Sequence, residues 1–386
     1  MRGLLAYSGL TAKVRAMKGQ LLTKEQYRAM AALESVPEAV DFCAPFPPTP
    51  IYSRIWTAKI FTVVQSNVCW PAPVQDYARL YRFAGIKQRQ FFKLYFMHFE
   101  IDILKSCLRN AAAHQPVPVG LSRYEDFFRS HSKLNLAAIG TAATTDEFIE
   151  SLEGTIYYPL LAGIRDSGDG GHFDYEMALD LYYFNVTWRA IKKKIPRREQ
   201  DAILQGFGTK LDLLNLQWIY RTKRYYTVSG EAVKKLLIPI RYRLRSSQLE
   251  HLIAAESMDE FFSVLSDTWY GAQTKAASLE EKPDLEILYG VILAHIHRTA
   301  ARRNPYSIAT LYSYLYFKEE ELRKIITVIE GIRYHLGAGE ILDIIEKEES
   351  GGNTRDRENE ISKHNRSQRG YRPGCQSVSQ QIRNSD

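Results

Sequence analysis

The chain has 386 residues, of which 45% are hydrophobic and 25% are charged, and its formal net charge is +7. This length is too great for one small hydrophobic core and favours two or three structural units. The apolar runs are too short for a transmembrane helix or a signal peptide, and the net charge is too small for a dedicated nucleic-acid-binding protein. The four cysteines lie far apart without CxxC spacing, which favours free thiols over disulfides or a metal site.

The first predicted element is a basic amphipathic helix over Tyr7–Ala31, interrupted before Thr23, where a second helical part starts. Four prolines between Pro45 and Pro50 then predict a loop at Phe46–Ile51. Helical spacing with many aromatic side chains follows over Ala72–Asn110. Such an aromatic stripe indicates packing between helices rather than a platform on which bases stack.

Two turns are predicted next, over Pro116–Gly120 and Ser167–Gly171, and a helix from Asp174 to Pro196 follows them. The most apolar predicted helix is Lys210–Tyr226, with a sequence of KLDLLNLQWIYRTKRYY. Its polar residues share one narrow stripe, and apolar residues occupy most of the remaining surface, as in a core helix. The stripe consists of Lys210, Gln217, Arg221 and Arg224.

A linker over Ala272–Pro283 and a helix over Leu285–Arg303 come next, and Asn304 with Pro305 should start a long final helix. Almost no segment alternates with period two, so we expect an all-α fold. From Ser350 onward the chain is rich in Ser, Asn, Gln, Arg and Gly, which predicts a disordered tail over 350–386.

An internal repeat links the middle of the chain to its later part. The sequence EIDILKSCLR, which begins at Glu100, aligns with KLDLLNLQWI and places Asp102 over Asp212. Asp102 precedes Glu147 by 45 residues, and Asp212 precedes Glu260 by 48. A looser third copy covers Val14–Phe42. Repeats of this length bury their apolar faces against one another, and we therefore expect three helical units, over 1–94, 95–204 and 205–349.

Three blocks of sequence resemble the C/d subunit of rotary V-type and A-type ATPases. They are YSGLTAKVRAMKGQLLTKEQYRAM near the N-terminus, KLDLLNLQWIYRTKRYY with LIPIRYRL in the centre, and NPYSIATLYSYLYFKEEELRKIITVIEGIRYHL near the end. The resemblance covers Tyr7 to Glu349, and the blocks occur in the family's order. Ile240 departs from the family pattern, which usually has a glycine after the proline.

The resemblance implies a funnel of three pseudo-threefold helical units that carries torque without making or breaking a bond. It also implies two partners, the central-stalk subunits of the soluble head and the proteolipid ring of the membrane rotor. The protein would then lie on the cytoplasmic face of the membrane, coupling ATP hydrolysis or synthesis to proton or sodium transport. It would bind no cofactor and no nucleic acid.

No pattern of residues predicts an active site. DSGDGGHFDYE, over Asp166–Glu176, lacks the acidic spacing and closing Glu of a calcium loop, and GFGTK, over Gly206–Lys210, lacks the phosphate-loop spacing. His295 and His297 should point to different helix faces, which does not suit a shared metal. We therefore expect a structural subunit rather than an enzyme.

Candidate interface residues come from the basic faces of three segments, and a solvated surface is the alternative explanation for each. The candidates for contact with a partner are Arg15, Lys18, Arg221, Arg224, Arg241 and Arg243. Three polar residues lie among apolar neighbours, and we expect Asp102, Asp212 and Asn215 to be buried and hydrogen-bonded. Two other functions remain open at this point. They are a helical-repeat adaptor without a transport role, and a nucleic-acid binder whose affinity falls steeply with salt.

Overall fold

The structure is a computed structural model that describes residues 2–43, 71–114, 125–168, 170–226, 228–276 and 285–349. Every regular element in these ranges is an α-helix, which confirms the all-α prediction. None of these helices is long and apolar enough to cross a membrane. The predicted loop at Phe46–Ile51, the turn at Pro116–Gly120 and the tail 350–386 lie outside the described residues.

The helices are numbered here in chain order. They are α1 (Arg2–Lys18), α2 (Lys24–Ala31), α3 (Val36–Cys43), α4 (Pro71–Tyr81), α5 (Ile86–Ala112), α6 (Glu125–His131), α7 (Leu136–Thr141), α8 (Thr145–Glu150), α9 (Tyr158–Ser167), α10 (His172–Lys194), α11 (Arg197–Tyr225), α12 (Gly230–Leu236), α13 (Ser246–Ala254), α14 (Met258–Ser266), α15 (Trp269–Ala276), α16 (Leu285–Arg303), α17 (Ile308–Arg333) and α18 (Ala338–Glu349).

Three long helices, α5, α11 and α17, organise the packing. Helix α5 packs against α10, α11 packs against α16, and α17 packs against both α16 and α18. The order of elements after α5 matches the order after α11. Three short helices and then two further helices follow in each case. A buried tyrosine lies at the start of the first of these two helices, Tyr157 just before α9 and Tyr270 in the first turn of α15.

The buried apolar residues form three clusters. The largest one joins α1 and the helices from α4 to α10 to the N-terminal half of α11 and the start of α17. A second cluster joins the C-terminal half of α11 to helices α12–α16 and includes the fully buried Phe261. The third one joins α2 and α3 to α17 and α18, so that Met30 and Val328 belong to one cluster although the two residues are far apart in the chain. The first and last parts of the described chain therefore share a core.

Several helix boundaries can be compared with the sequence predictions. Thr23 caps α2 through its hydroxyl, as predicted, and Gln26 completes a capping box. The final long helix, in contrast, does not start at Asn304 and Pro305, which lie in a turn. Ser307 caps α17 instead, because its hydroxyl accepts the backbone N–H of Ala309.

Two boundaries of the expected sequence units fall inside helices. The expected boundary at residue 94 falls inside α5, and the one at residue 204 falls inside α11. The residues on both sides of each boundary therefore belong to the same hydrogen-bonded helix. The division of the chain into three units stays a prediction.

Candidate subunit interface

The carboxylate of Asp212 on α11 is completely buried and accepts four hydrogen bonds. Its Oδ1 accepts the backbone N–H of Tyr242 at 3.0 Å. Its Oδ2 accepts the N–H of Arg243 at 2.6 Å, the N–H of Leu244 at 3.0 Å and the hydroxyl of Tyr270 at 2.7 Å. Such a set of donors balances the cost of burying a charge. Asp212 thereby fixes the connection before α13 to the long helix.

Asn215 lies one helical turn after Asp212 and is also completely buried. Its amide oxygen accepts the N–H of Ile238 at 2.8 Å, and its amide nitrogen donates to the carbonyl of the same residue at 3.0 Å. The two bonds together satisfy both the backbone N–H and the backbone carbonyl of Ile238. Asp212 and Asn215 therefore both hold the segment between α12 and α13 against α11.

Glu100 on α5 makes the corresponding contacts in the preceding copy. Its carboxylate accepts the Tyr157 hydroxyl at 2.8 Å and also the Ser132 hydroxyl. Glu100 precedes Tyr157 by 57 residues, and Asp212 precedes Tyr270 by 58. Burial raises the pKa of Glu100, and the hydrogen bonds from Ser132 and Tyr157 oppose that rise. Glu100 is therefore the counterpart of Asp212 in the structure.

Asp102, which the sequence alignment had placed over Asp212, is not buried. About a third of its side chain is exposed (33%), and its carboxylate lies 3.8 Å from Lys105 Nζ and 3.6 Å from His98 Nε2. The prediction that Asp102 is buried was wrong, and the buried carboxylate is that of Glu100, two positions earlier. Residues 100 and 102 project from different sides of α5. Asp102 faces other charged side chains rather than the short helices.

A third carboxylate on a long helix contacts the N-terminal segment. Glu321 on α17 accepts the backbone N–H of Leu22 at 2.7 Å, and its own carbonyl accepts the Tyr27 hydroxyl at 3.4 Å. Glu321 also pairs with Lys318, and both side chains are more than nine-tenths buried. Each long helix thus carries an acidic residue that binds a segment leading into a short helix. The three acids act as structural ties between helices.

Opposite charges meet where the polar stripe of α11 faces its neighbours. Lys210 lies near Tyr289 of α16 and Glu319 of α17. Burial disfavours its charged form, but these neighbours raise the pKa of Lys210 overall. One turn farther along α17, Arg323 Nη1 lies 2.7 Å and 2.9 Å from the two oxygens of Glu320. We refer to these five residues as the interhelical polar cluster.

Two glycines of GFGTK allow close packing inside α11 rather than phosphate binding. A Cβ on Gly208 would lie 2.5 Å from the ring of Tyr242, and a Cβ on Gly206 would lie 2.9 Å from Tyr312 and 3.1 Å from His297. His297 stacks on Tyr316 with 4.3 Å between ring centroids. Burial and then the nearby Lys210 lower the pKa of His297 to about 3, so it is a neutral core residue.

The six candidate basic residues lie in three separate places. The guanidinium of Arg15 lies 5.7 Å from the ring centroid of Tyr306, and Lys18 Nζ lies 5.3 Å from that of Phe317. Burial, together with Arg298 and Arg302, lowers the pKa of Lys18. These two candidates on α1 therefore lie beside the connection between α16 and α17, and both are exposed.

The other four candidates follow α11. Arg221 is partly exposed and Arg224 is exposed on the last turns of this helix, where Arg224 contacts the Tyr220 side chain. Arg241 is exposed, but Arg243 packs its guanidinium 4.1 Å from the ring centroid of Trp269. Among the described residues, no hydrogen-bond partner reaches the buried Nε of Arg243. Arg221, Arg224 and Arg241 thus lie at the surface, whereas Arg243 is largely a packing residue.

Sequence reasoning identified Asp212 but missed Glu100 and Glu321. The signal that could have found Glu100 was Tyr157, which matches Tyr270 in the repeat and donates to the carboxylate in each copy. No comparable tyrosine signal marks Glu321, because its partner is a backbone N–H. In the described ranges, no three His, Cys, Asp or Glu residues are grouped so that they could hold a metal ion.

Comparison with known proteins gives a consistent result over most of the chain. The C subunit of the A-type ATP synthase from Thermococcus kodakarensis is 23% identical over 84% of this chain and 86% of its own length. The same protein from Desulfurococcus sp. (strain SY) is 24% identical over 83% of this chain and 85% of its own, and that from Methanosarcina barkeri is 24% identical over 85% and 89%. Residues 65–344, well over half of the chain, match the family described as the ATP synthase (C/AC39) subunit. The chain therefore belongs to the ATP synthase (C/AC39) subunit family.

Proposed function

We propose that this protein is a non-catalytic central-stalk subunit of a V/A-type rotary ATPase. It would join the central stalk of the soluble head to the membrane rotor ring and would couple ATP hydrolysis or synthesis to proton or sodium transport. The observation that carries the proposal is the alignment of nearly the whole chain with relatives named as the C subunit of A-type ATP synthases. Its place would be at the cytoplasmic face of the membrane.

Contacts between helices in the described part of the chain support this proposal. A subunit that transmits torque must not deform between its two attachment points. Buried carboxylates tie each long helix to the short helices beside it, and the interhelical polar cluster joins α11, α16 and α17. Hydrogen bonds to buried charges are stronger than neutral ones and are directional, and therefore resist sliding between helices.

The end of α11 is our candidate for the surface that holds the central stalk. Arg221 and Arg224 lie on its last turns, on the same stripe as Lys210. At 1.5 Å per residue, the 29 residues of α11 separate them by roughly 40 Å from Arg197 at its start. A socket under torque needs charge complementarity in addition to apolar contact, and reversing one side of a desolvated charge pair commonly costs about 2–5 kcal/mol.

The test reverses this charge and compares two matched variants. Arg221→Glu with Arg224→Glu should leave the isolated protein folded but weaken its binding to the purified stalk subunits. In the assembled complex, ATP hydrolysis should continue while ATP-driven ion uptake falls. The control for stalk binding is Lys87→Glu with Arg197→Glu, which makes the same charge change at exposed positions in the first turns of α5 and α11.

Two outcomes would contradict the proposal at different levels. If the Arg221 and Arg224 variant keeps its stalk affinity at both low and high salt, the end of α11 is not the stalk-binding surface. Arg241 is then the next candidate. Failure of the wild-type chain to co-purify with ATPase subunits and membranes would remove the rotor function itself. A helical adaptor without a transport role would likewise fail to co-purify with ATPase subunits and membranes.

A further inference from the structure

Three connections between helices form a strongly basic surface at one end of the long helices. They are residues 82–89 between α4 and α5, residues 192–198 between α10 and α11, and residues 298–306 between α16 and α17. They contain three, five and three Arg or Lys residues, and no Asp or Glu. All of these basic residues are exposed. We call these three connections the basic end.

Specific contacts hold the basic end together. Gln88 Nε2 donates to the carbonyl of Ala6 at 3.1 Å, which attaches α5 to α1. The buried carboxylate of Glu199 accepts the N–H of Ile308 at 3.0 Å, which attaches α11 to the start of α17. Side chains from α1, α5, α11 and α17 all line one cavity of 180 Å³. The three connections are therefore neighbours in space, and α1 adds Arg15 beside them.

The charge of this surface is not balanced within the described part of the chain. Among its basic residues there, Arg198 alone has a carboxylate within 4 Å, that of Glu199 at 3.4 Å. Its eleven cations exceed the net charge of the whole chain, +7, so the remaining residues carry a net negative charge. Positive charge is thus concentrated on this surface.

Helix stability accounts for Lys192–Lys194 and for Arg302 and Arg303, which lie in the last turns of α10 and α16, but not for three other cations of the basic end. Lys87 is the second residue of α5, and Arg197 and Arg198 are the first two of α11. A helix N-terminus already carries a partial positive charge, and a cation there is unfavourable. The first turn of α5 also contains no acidic residue. The three first-turn cations Lys87, Arg197 and Arg198 therefore point to an anionic partner outside the chain.

Large apolar side chains are exposed between the basic ones. Ile86 is 84% exposed, Phe83 is 53% exposed and Tyr306 is 37% exposed. Phe83 and Ile86 flank the turn into α5, and Tyr306 lies in the turn before α17. Apolar and aromatic side chains surrounded by Lys and Arg are typical of surfaces that lie at a lipid–water interface.

We propose that the basic end binds the anionic headgroups of a membrane surface, with Phe83 and Ile86 entering the interfacial layer. Arginine is enriched and lysine is depleted at interfaces between proteins, so the support for lipid comes from the consecutive Lys192, Lys193 and Lys194 and not from the seven arginines of this surface. Clusters of Lys and Arg bind anionic lipid through summed electrostatic attraction and need no matching side-chain geometry. Lipid binding goes beyond the proposed function, because a rotor protein can reach the membrane sector through protein contacts alone.

The experiment measures flotation of the full chain with lipid vesicles. One set is phosphatidylcholine alone, and the other contains about one-third phosphatidylserine. The wild-type chain should bind only the anionic set, and binding should weaken as salt is raised. Each basic residue near such a surface contributes about fivefold in partitioning, so Lys87→Glu with Arg197→Glu should lower binding by about 25-fold or more. Both substitutions place a carboxylate in the first turn of a helix, where it favours folding.

The control is Arg221→Glu with Arg224→Glu, which changes the net charge equally at the far end of α11 and should keep its vesicle binding. Ile86→Ser with Phe83→Ser should weaken binding without changing its dependence on phosphatidylserine. Equal binding to both vesicle sets, no binding to either set, or equal losses in the two charge variants would each overturn the proposal. If the Lys87 and Arg197 variant instead loses only its binding to the rotor ring in detergent, the basic end is a protein interface. Stalk binding is measured separately, so failure here leaves the proposed function standing.

Discussion

Replacing Asp212 by asparagine should destabilise the protein far more than the same change at Asp102. The amide keeps the size of the side chain but removes its charge and one of its two acceptor oxygens. If the amide oxygen takes the place of Oδ2, it keeps the bonds from Arg243, Leu244 and Tyr270, at distances of 2.6, 3.0 and 2.7 Å. The amide nitrogen then faces the N–H of Tyr242, and two donors oppose each other.

The magnitude follows from the hydrogen bonds that are changed. Bonds to a charged acceptor contribute about 1.5–3 kcal/mol each, neutral ones about half as much, and a buried donor left without a partner costs about 1–3 kcal/mol. Asp212→Asn should therefore lower the free energy of unfolding by about 3–5 kcal/mol. Tyr270→Phe removes one of the four bonds and should cost about 1.5–3 kcal/mol. Asp102→Asn alters partly exposed ion pairs and should cost less than about 1 kcal/mol.

The assay is urea unfolding followed by far-ultraviolet circular dichroism for the three single variants and for the Asp212–Tyr270 double variant. Because the two side chains touch, the double variant should lose less than the sum of the single losses, with a coupling of about 1 kcal/mol or more. Equal losses for Asp212→Asn and Asp102→Asn would refute the assignment of Asp212 as a buried tie. Strict additivity with Tyr270→Phe would refute their hydrogen bond.

Two further predictions concern the packing of α11. Gly208→Ala should lower the free energy of unfolding by about 1–3 kcal/mol, because the added methyl group would lie 2.5 Å from the Tyr242 ring. Its control is Gly163→Ala, because a Cβ at Gly163 meets nothing within 4 Å. Equal effects of the two substitutions would contradict the clash. His297 should make stability depend on pH, because its pKa is about 3 when folded and about 6.5 when unfolded. The unfolded chain binds a proton below pH 6.5 that the folded chain does not, so about 2 kcal/mol should be lost between pH 7 and pH 5, and His297→Phe should reduce that loss. An unchanged pH dependence of the unfolding midpoint in His297→Phe would show that the imidazole is not buried as a neutral group.

Helix type could be predicted from the sequence because it depends on local spacing. The apolar pattern of KLDLLNLQWIYRTKRYY predicted a core helix, and Thr23 predicted a helix start that the structure confirms. The predicted start of α17 was wrong because Asn304, Pro305 and Ser307 all favour a helix start. Only the fit to the turn after α16 selects Ser307. Boundaries are decided by such tertiary fit.

The choice between Glu100 and Asp102 shows where local information stops. Both carboxylates stand among apolar residues on the same helix, and aligning Asp with Asp was chemically reasonable. Burial was decided by Tyr157 and Ser132, which are 57 and 32 residues away from Glu100. The basic end was likewise invisible as a unit, because its three connections are about one hundred residues apart in the chain. Only the packing of α1, α5, α11 and α17 brings them together.

The shared core of the first and last helices has a consequence for synthesis in the cell. Leu22 and Glu321, which are hydrogen-bonded in the folded protein, are 299 residues apart. At about 5–20 residues per second, a ribosome needs roughly 15–60 s to make the chain between them. During that interval the apolar face of α2 and α3 has emerged, but its native partner does not yet exist. The N-terminal segment must therefore wait in a non-native state, in which it is exposed to capture by chaperones or to aggregation.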